Sequence, residues 1–167
     1  MLYVLTGGPG AGKTTVVDAL AALGYAATRE AGRALIREGV PSEDQAAFSE
    51  HILARELESY AWAAAQPGTV FCDRGMPDVA GNYLRLGLPV PPDVRTAVEE
   101  CRYASPVFVA PPWQEIYVHD DERTHSWETA VATYEAMVAA YTGAGYDLAE
   151  LPRASVEERV AFVLERV

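Results

Sequence analysis

The feature that most restricts the fold is a glycine-rich stretch near the start of the chain, Gly7-Gly8-Pro9-Gly10-Ala11-Gly12-Lys13-Thr14-Thr15. It fits the pattern G-x-x-x-x-G-K-[ST]. The apolar run from Leu2 to Leu5 precedes it and predicts a buried strand. Residues 16–23 follow with helical spacing and end at Gly24. Strand, loop and helix are the context that this motif requires, which argues against the alternative of an ordinary glycine-rich turn.

The loop predicts a site for a nucleoside triphosphate. Its glycines allow several backbone N–H groups to point at one phosphate, and the helix that follows adds unpaired donors and the positive end of its dipole. Lys13 can reach the outer phosphates, and the Thr14 hydroxyl can ligate Mg²⁺. The residues expected to contact the nucleotide here are Gly8, Pro9, Gly10, Ala11, Gly12, Lys13, Thr14 and Thr15.

Length and composition predict one globular domain. The chain has 167 residues, of which half are hydrophobic, and no apolar run approaches the roughly 18 residues that span a bilayer. No basic segment precedes the first strand, so we expect no signal peptide. Cys72 and Cys101 fall in an apolar strand and a helix, which favours two buried thiols over a disulfide. These features predict a cytoplasmic protein.

The net charge of −11 and the pI of about 4.6 indicate which kinds of partner the protein can bind. Nucleic acids and anionic lipid surfaces bind proteins through Lys and Arg that displace counterions, so we expect neither as a partner. In so acidic a chain, clustered arginines suggest that a particular anion is bound. The sequence leaves open whether the chain forms a homodimer.

Strands alternate with helices along the chain, which predicts an α/β fold with a doubly wound, three-layer parallel sheet of five strands. Ligands of such folds bind beyond the carboxyl ends of the strands. A long helix is expected to open with a capping box of Ser42 and Gln45, and to bury Leu53 and Leu57. Ser126 and Ser155 are predicted to cap two later helices. The five strands are expected at residues 2–5, 25–28, 69–72, 106–109 and 147–151.

Three residues at the predicted strand ends could carry chemistry. Asp73 could take a position around Mg²⁺, directly or through water, or could cap the next helix. Glu30 could accept a proton from an acceptor hydroxyl or orient it, or could be a solvated loop acid. Arg74 could bind the phosphoryl group being transferred, or could pair with Glu30 or Asp78.

Two further arginines lie in later loops. Arg123 belongs to a polar segment where small kinases carry a lid whose arginines neutralise the transferred phosphoryl group, although neighbouring acids could pair with it. Arg153 could lie near a nucleotide base or could be solvated. Trp113 and Tyr117 could line an acceptor or base pocket. The three histidines have no metal-ligand spacing.

With these motifs placed, the chain resembles the P-loop kinase-like families. Thr28-Arg29-Glu30 and Asp73-Arg74-Gly75 are similar to motifs of thymidylate kinases and deoxynucleoside kinases. Over its full length the chain most resembles the small AAA-type ATPase family grouped with the ribosylnicotinamide kinase domain of NadR. The match is carried by the segments 71–78 and 111–117, and by Glu122-Arg123 before a long helix.

The resemblance implies the sheet order 2-3-1-4-5 and ATP with Mg²⁺ as the phosphoryl donor. We therefore expect a P-loop kinase that phosphorylates a small hydroxylated acceptor, with Lys13, Glu30, Asp73, Arg74 and Arg123 as catalytic residues and Thr14 and Asp73 at the metal. The alternative is a regulatory ATPase or GTPase module without a small acceptor. No N-K-x-D guanine signature is present, and thymidylate kinases usually have proline where this chain has Ala31. An AAA-type motor would need a further helical domain.

Overall fold

The structure is a computed structural model that describes residues 1–117 and 126–167. Within these residues the chain forms five strands, seven α-helices and one short 3-10 helix, Gln114–Ile116. The strands are β1 (Leu2–Gly7), β2 (Ala26–Thr28), β3 (Val70–Asp73), β4 (Val107–Ala110) and β5 (Leu148–Glu150). The helices are α1 (Lys13–Ala22), α2 (Ala31–Arg37), α3 (Gln45–Ala64), α4 (Met76–Arg85), α5 (Pro92–Glu100), α6 (Trp127–Gly143) and α7 (Val156–Leu164).

The strands form one parallel sheet in the order β2-β3-β1-β4-β5, as predicted. The central strands are apolar without alternation because helices cover both faces, so Val4 and Leu5 on β1 and Phe108 on β4 are all fully buried. The register pairs Leu5 with Asp73 on β3 and Gly7 with Ala110 on β4. The carboxyl ends of these strands therefore meet at one edge of the sheet.

The core is divided between the two faces of the sheet. On one face, apolar residues of β1 pack with Val16, Leu20 and Val163 from α1 and α7. On the other face, Val4 packs with Tyr141 of α6. A third apolar cluster joins α3, α4 and α5 and holds α4 in place beside the sheet edge. This third cluster positions the helices that border the candidate site.

The predicted start of the long helix is wrong. Helix α3 begins at Gln45, and its N-cap is Asp44, whose Oδ1 accepts hydrogen bonds from the backbone N–H groups of Ala46 and Ala47 at 3.0 and 3.1 Å. Gln45 does reach back to Ser42, but to its backbone carbonyl. An ionised carboxylate near the positive end of the helix dipole is the stronger cap. Ser126 and Ser155 cap α6 and α7 as predicted.

Two other features bear on the sequence predictions. Cys72 and Cys101 are both buried free thiols, in agreement with the prediction. No helix in the described part of the chain combines the length and the apolar character needed to cross a bilayer.

Candidate active site

The loop between β1 and α1 has the geometry of a phosphate-binding loop. Gly10 and Gly12 adopt left-handed φ angles of 75° and 76°, so the backbone turns sharply before α1 begins at Lys13. Gly7 also has a positive φ, of 131°, and a Cβ there would in addition lie 2.3 Å from the carbonyl oxygen of Ala110. The amino end of α1 therefore opens directly onto the loop, and its backbone donors are available to an anion.

Lys13 is buried inside this loop, with 4% of its surface exposed, and its Nζ donates to the Gly8 carbonyl at 2.7 Å. Burial, helped by the nearby charge of Arg74, lowers the pKa of Lys13 to about 8. The ammonium group is thus partly desolvated and has one backbone acceptor. Glu30, Asp73 and Asp78 are near enough to act on it electrostatically, but no carboxylate among the described residues forms an ion pair with it. A polyphosphate in the loop would supply a direct anionic partner.

Thr14 and Asp73 lie together at the sheet edge. Thr14 Oγ1 donates to Asp73 Oδ2 at 2.7 Å. The other carboxylate oxygen, Asp73 Oδ1, is buried and has no hydrogen-bond partner within the parts of the chain that the structure describes. Burial, together with the charge of Glu30, raises the pKa of Asp73. An unpartnered buried carboxylate oxygen beside a hydroxyl is a donor set that suits Mg²⁺.

Glu30 and Arg74 form the next part of the site. Arg74 Nε lies 3.1 Å from Glu30 Oε1, and its Nη1 lies 2.8 Å from Asp78 Oδ1 and 3.2 Å from the Gly7 carbonyl. Arg33 also pairs with Glu30, at 3.2 Å. Both ion pairs that the sequence left as alternatives for Arg74 are therefore present. They place the guanidinium over the start of the phosphate loop.

Arg74 and Glu30 each have one unusual property. Arg74 has a left-handed φ of 82°, which non-glycine residues rarely adopt and which is frequent at functional sites. Burial opposes ionisation of Glu30, but the charges of Arg74, Lys13 and Arg33 lower its pKa to about 2. Glu30 is therefore a permanent anion at neutral pH.

A cavity of about 300 Å³ adjoins the loop. One end is bordered by Pro9 of the phosphate loop, Glu30 and Arg74, and the walls are formed by α2, α3, α4 and the first turns of α6. Apolar side chains such as Phe48 and Ile52 alternate with polar ones. Its volume is at the lower end of small-molecule pockets, so a single metabolite would fit.

The later candidate residues Arg153 and Tyr117 do not line the cavity. Arg153 is exposed and donates from Nε to the Pro112 carbonyl at 3.1 Å, which joins the loops after β4 and β5. Tyr117 packs on Gly10, where a Cβ would lie 2.4 Å from the ring. Arg123 lies outside the described residues, so its predicted role stays a prediction. Thr15 is exposed on the first turn of α1.

Asp78 is a site residue whose importance the sequence did not reveal. Its Oδ1 accepts from Thr6 Oγ1 at 2.6 Å and from Arg74, and its Oδ2 accepts from Tyr141 OH at 2.6 Å and from Gly75 N at 3.0 Å. Both oxygens of this buried carboxylate are hydrogen-bonded, and its Oδ1 fixes the orientation of the Arg74 guanidinium. Its only signal in the sequence was its spacing of four residues from Arg74.

Glu56 and Arg159 were also missed. Glu56 is 4% exposed on α3, lines the cavity, and burial raises its pKa to about 8. Arg159 is 3% exposed on α7, and its Nη2 donates to the carbonyl of Ala11 in the phosphate loop at 3.0 Å. A charged residue at a buried helical position is the signal that could have found both.

Comparisons with known proteins agree with this geometry. A family model described as an AAA domain matches residues 2–159. Among solved structures, the NadR protein in complex with NR has a TM-score of 0.81 and 18% identity, with 98% of this chain and 49% of that chain covered. This chain thus spans about half of that one. Deoxyadenosine kinase from M. mycoides, with bound products, has a TM-score of 0.67 and 12% identity, with coverage of 99% and 97%.

A second structure of the same kinase, with bound dATP, has a TM-score of 0.64 at 12% identity and covers 99% of this chain and 98% of that one. At such low identities these likenesses establish the fold, which is that of P-loop kinases. None of the curated proteins compared with the chain matches it. Because the family model covers nearly the whole chain, the protein belongs to the AAA-domain family, as its motifs predicted.

Proposed function

We propose that the protein transfers the outer phosphoryl group of ATP to a hydroxyl of a small molecule bound in the cavity beside the phosphate loop. The observation that carries the proposal is the position of that cavity, which begins at Pro9, Glu30 and Arg74. A module that only binds or hydrolyses nucleotide has no need of a second pocket at this point.

The donor side would be held by the loop. The backbone N–H groups of Gly8 and of residues 10–15, together with the Lys13 ammonium, would bind the phosphates. Mg²⁺ at Thr14 and Asp73 would supply charge neutralisation at the outer phosphate oxygens. Asp73 would offer the oxygen that is unpartnered in the described structure. Arg153 and Arg123 are proposed to act on the base and on the phosphoryl group respectively.

The acceptor side would be held by Glu30 and Arg74. With a pKa of about 2, the Glu30 carboxylate is a weak base, so we assign it the orientation of the acceptor hydroxyl rather than removal of its proton. Phosphoryl transfer depends mainly on positioning and charge neutralisation, since its transition state is loose. Arg74, held in place by Asp78, would face the phosphoryl group that is being transferred.

The test is transfer of labelled phosphate from ATP to a panel of hydroxylated metabolites, measured against hydrolysis. We expect at least one acceptor to be phosphorylated well above the rate of hydrolysis, and Glu30→Gln to lower that transfer about 100-fold or more while ATP affinity changes less than about 2-fold. Glu43→Gln is the matched control, because Glu43 is exposed outside the cavity. Tight ATP binding without transfer to any acceptor would refute the proposal and favour the regulatory module.

A further inference from the structure

The helices that line the cavity define two distinct ends. Helix α3 contributes Gln45 and Glu56, which lie about three turns apart on one face. Helix α4 contributes Asp78 and Arg85, about two turns apart. Arg85, at the end of α4, bonds Gln45 at the start of α3, whereas Asp78, at the start of α4, interacts electrostatically with Glu56 further along α3. The two helices therefore run in opposite directions along the cavity. One end of the cavity therefore lies at Asp78 and the phosphate loop, and the other at Arg85.

The charges at the two ends differ. At the loop end, Arg33 and Arg74 are paired with Glu30 and Asp78. At the far end, Arg85 Nη2 donates to the neutral side-chain oxygen of Gln45 at 2.9 Å, and no carboxylate among residues 1–117 and 126–167 forms an ion pair with it. The chain has 24 acidic and 13 basic residues, so acids were available to pair with this cation.

Arg85 is partly buried, and burial lowers its pKa, which reports the loss of hydration around its charge. A guanidinium remains ionised under these conditions, so the partly desolvated charge stays in the cavity wall. Its planar fork retains donors that no described residue accepts from. A partly desolvated cation with free donors is a binding site for an oxyanion.

We propose that the acceptor carries an anionic oxygen group, a carboxylate or a phosphate, which binds to Arg85 at the end of the cavity remote from the phosphate loop. The inference rests on the proposed function and specifies its substrate. Asp78 and Arg85 are about 10 Å apart along the axis of α4 and both line the cavity, so one small acceptor can contact both of its ends. Phe48, Ile52 and Val79 would hold the carbon skeleton between them.

Binding is tested with probes that need no knowledge of the acceptor. Protein saturated with Mg²⁺ and a non-hydrolysable ATP analogue is titrated with inorganic phosphate, acetate or glycerol, and the backbone amides of α4 are followed by NMR. We expect at least one anion, but not glycerol, to shift the amides around Arg85 in a saturable way. Arg85→Gln should weaken that binding about 10-fold or more, while Arg95→Gln, at an exposed position on α5, should not. The better-bound anion identifies the group. Equal binding in Arg85→Gln, or no shift with either anion, would overturn the inference.

Transfer is tested with pairs of acceptors that differ in charge, namely glycerol against glycerol 3-phosphate and glycerate, and nucleosides against their 5′-monophosphates. We expect the anionic member to have the higher kcat/KM, and Arg85→Gln to raise its KM about 10- to 100-fold with kcat and the KM for ATP nearly unchanged. A preference for neutral members would overturn the inference and leave the kinase proposal intact. Anion binding at Arg85 with no transfer to any acceptor would instead refute the kinase proposal.

Discussion

Thr14 Oγ1 lies 2.7 Å from Asp73 Oδ2, and this hydrogen bond joins the first turn of α1 to the end of β3. The remaining oxygen of the same carboxylate, Oδ1, is buried and has no partner among the described residues. The bond leaves a hydroxyl and a carboxylate oxygen side by side at the edge where the phosphate loop opens. The arrangement fits an Mg²⁺ ion that uses both groups, directly or through water.

Asp73→Asn tests that arrangement. The amide keeps an acceptor for Thr14 but removes the negative charge, so we expect the Mg²⁺ concentration for half-maximal ATP binding to rise about 10-fold or more. ATP binding is measured by calorimetry over a series of Mg²⁺ concentrations. Asp147→Asn, at an exposed position, is the control. An unchanged Mg²⁺ requirement in Asp73→Asn would remove Asp73 from the metal site.

Two glycine substitutions separate backbone strain from contact with the loop. Gly12 and Gly39 have similar left-handed φ angles of 76° and 81°, so alanine should cost about 1–2 kcal/mol at either position. Only at Gly12 would the new Cβ meet other groups, 2.7 Å from Arg159 Nη1 and 3.3 Å from Ile116 Cδ1. We expect both variants to lose stability in urea titrations, Gly12→Ala the more, and only Gly12→Ala to lose ATP affinity. Equal ATP affinities would show that the loop tolerates the side chain.

Arg159 supports the phosphate loop from α7. Arg159→Met keeps much of the side-chain volume but leaves the Ala11 carbonyl without its donor, so we expect the free energy of unfolding to fall by about 1–3 kcal/mol. ATP binding should weaken as the loop loosens. Arg166→Met, at an exposed position shortly after α7, should change the unfolding free energy by less than about 0.5 kcal/mol. Similar losses in both variants would contradict a specific role for Arg159.

Glu56 makes stability depend on pH. The pKa of Glu56 is raised from 4.5 to about 8, chiefly by burial. The charges of Asp78, Asp73 and Glu30 add to this rise, and the charge of Arg74 opposes it. Between about pH 5 and pH 8 the folded protein keeps a proton that the unfolded chain has released. The free energy of unfolding should therefore fall with rising pH, by up to about 1.4 kcal/mol per pH unit from this group.

Glu56→Gln imitates the protonated acid and should remove this dependence. We expect the variant and the unmodified protein to have similar unfolding free energies near pH 5, and the variant to be the more stable by pH 8. Urea titrations at several pH values measure the difference, in which the contribution of Lys13 cancels. A constant difference across that range would mean that Glu56 is ionised in the folded protein.

The sequence predicted the parts of the site that local motifs encode. The phosphate loop and the roles of Thr14 and Asp73 at a metal were predicted from short segments, and the strand order was implied by the family resemblance. The fold and the strand order are confirmed. Which helical residues are buried depends instead on contacts between segments far apart in the chain, and local spacing did not predict it. Helical spacing placed Leu57 on the buried face of α3, yet Leu57 is 42% exposed, and neighbouring Glu56 is buried because that face lines the cavity.

Arg85 shows the same limit. Its sequence neighbourhood indicates an ordinary basic residue at the carboxyl end of a helix, which the helix dipole favours. The inference that Arg85 binds an anion depends on its contact with Gln45, forty residues earlier in the chain, and on the absence of an acidic partner in the described structure. No local pattern encodes either fact.

The most direct test of the account uses Lys13, which is the only lysine in the chain. Protein labelled with ¹⁵N-lysine has a single side-chain Nζ resonance, which we expect to titrate with a pKa of about 8. Added Mg²⁺ and ATP should shift this resonance in a saturable way and raise the pKa by at least about one unit, because phosphate charge stabilises the ammonium form. A resonance that does not respond to millimolar ATP and Mg²⁺ would contradict the assignment of the loop as the nucleotide site.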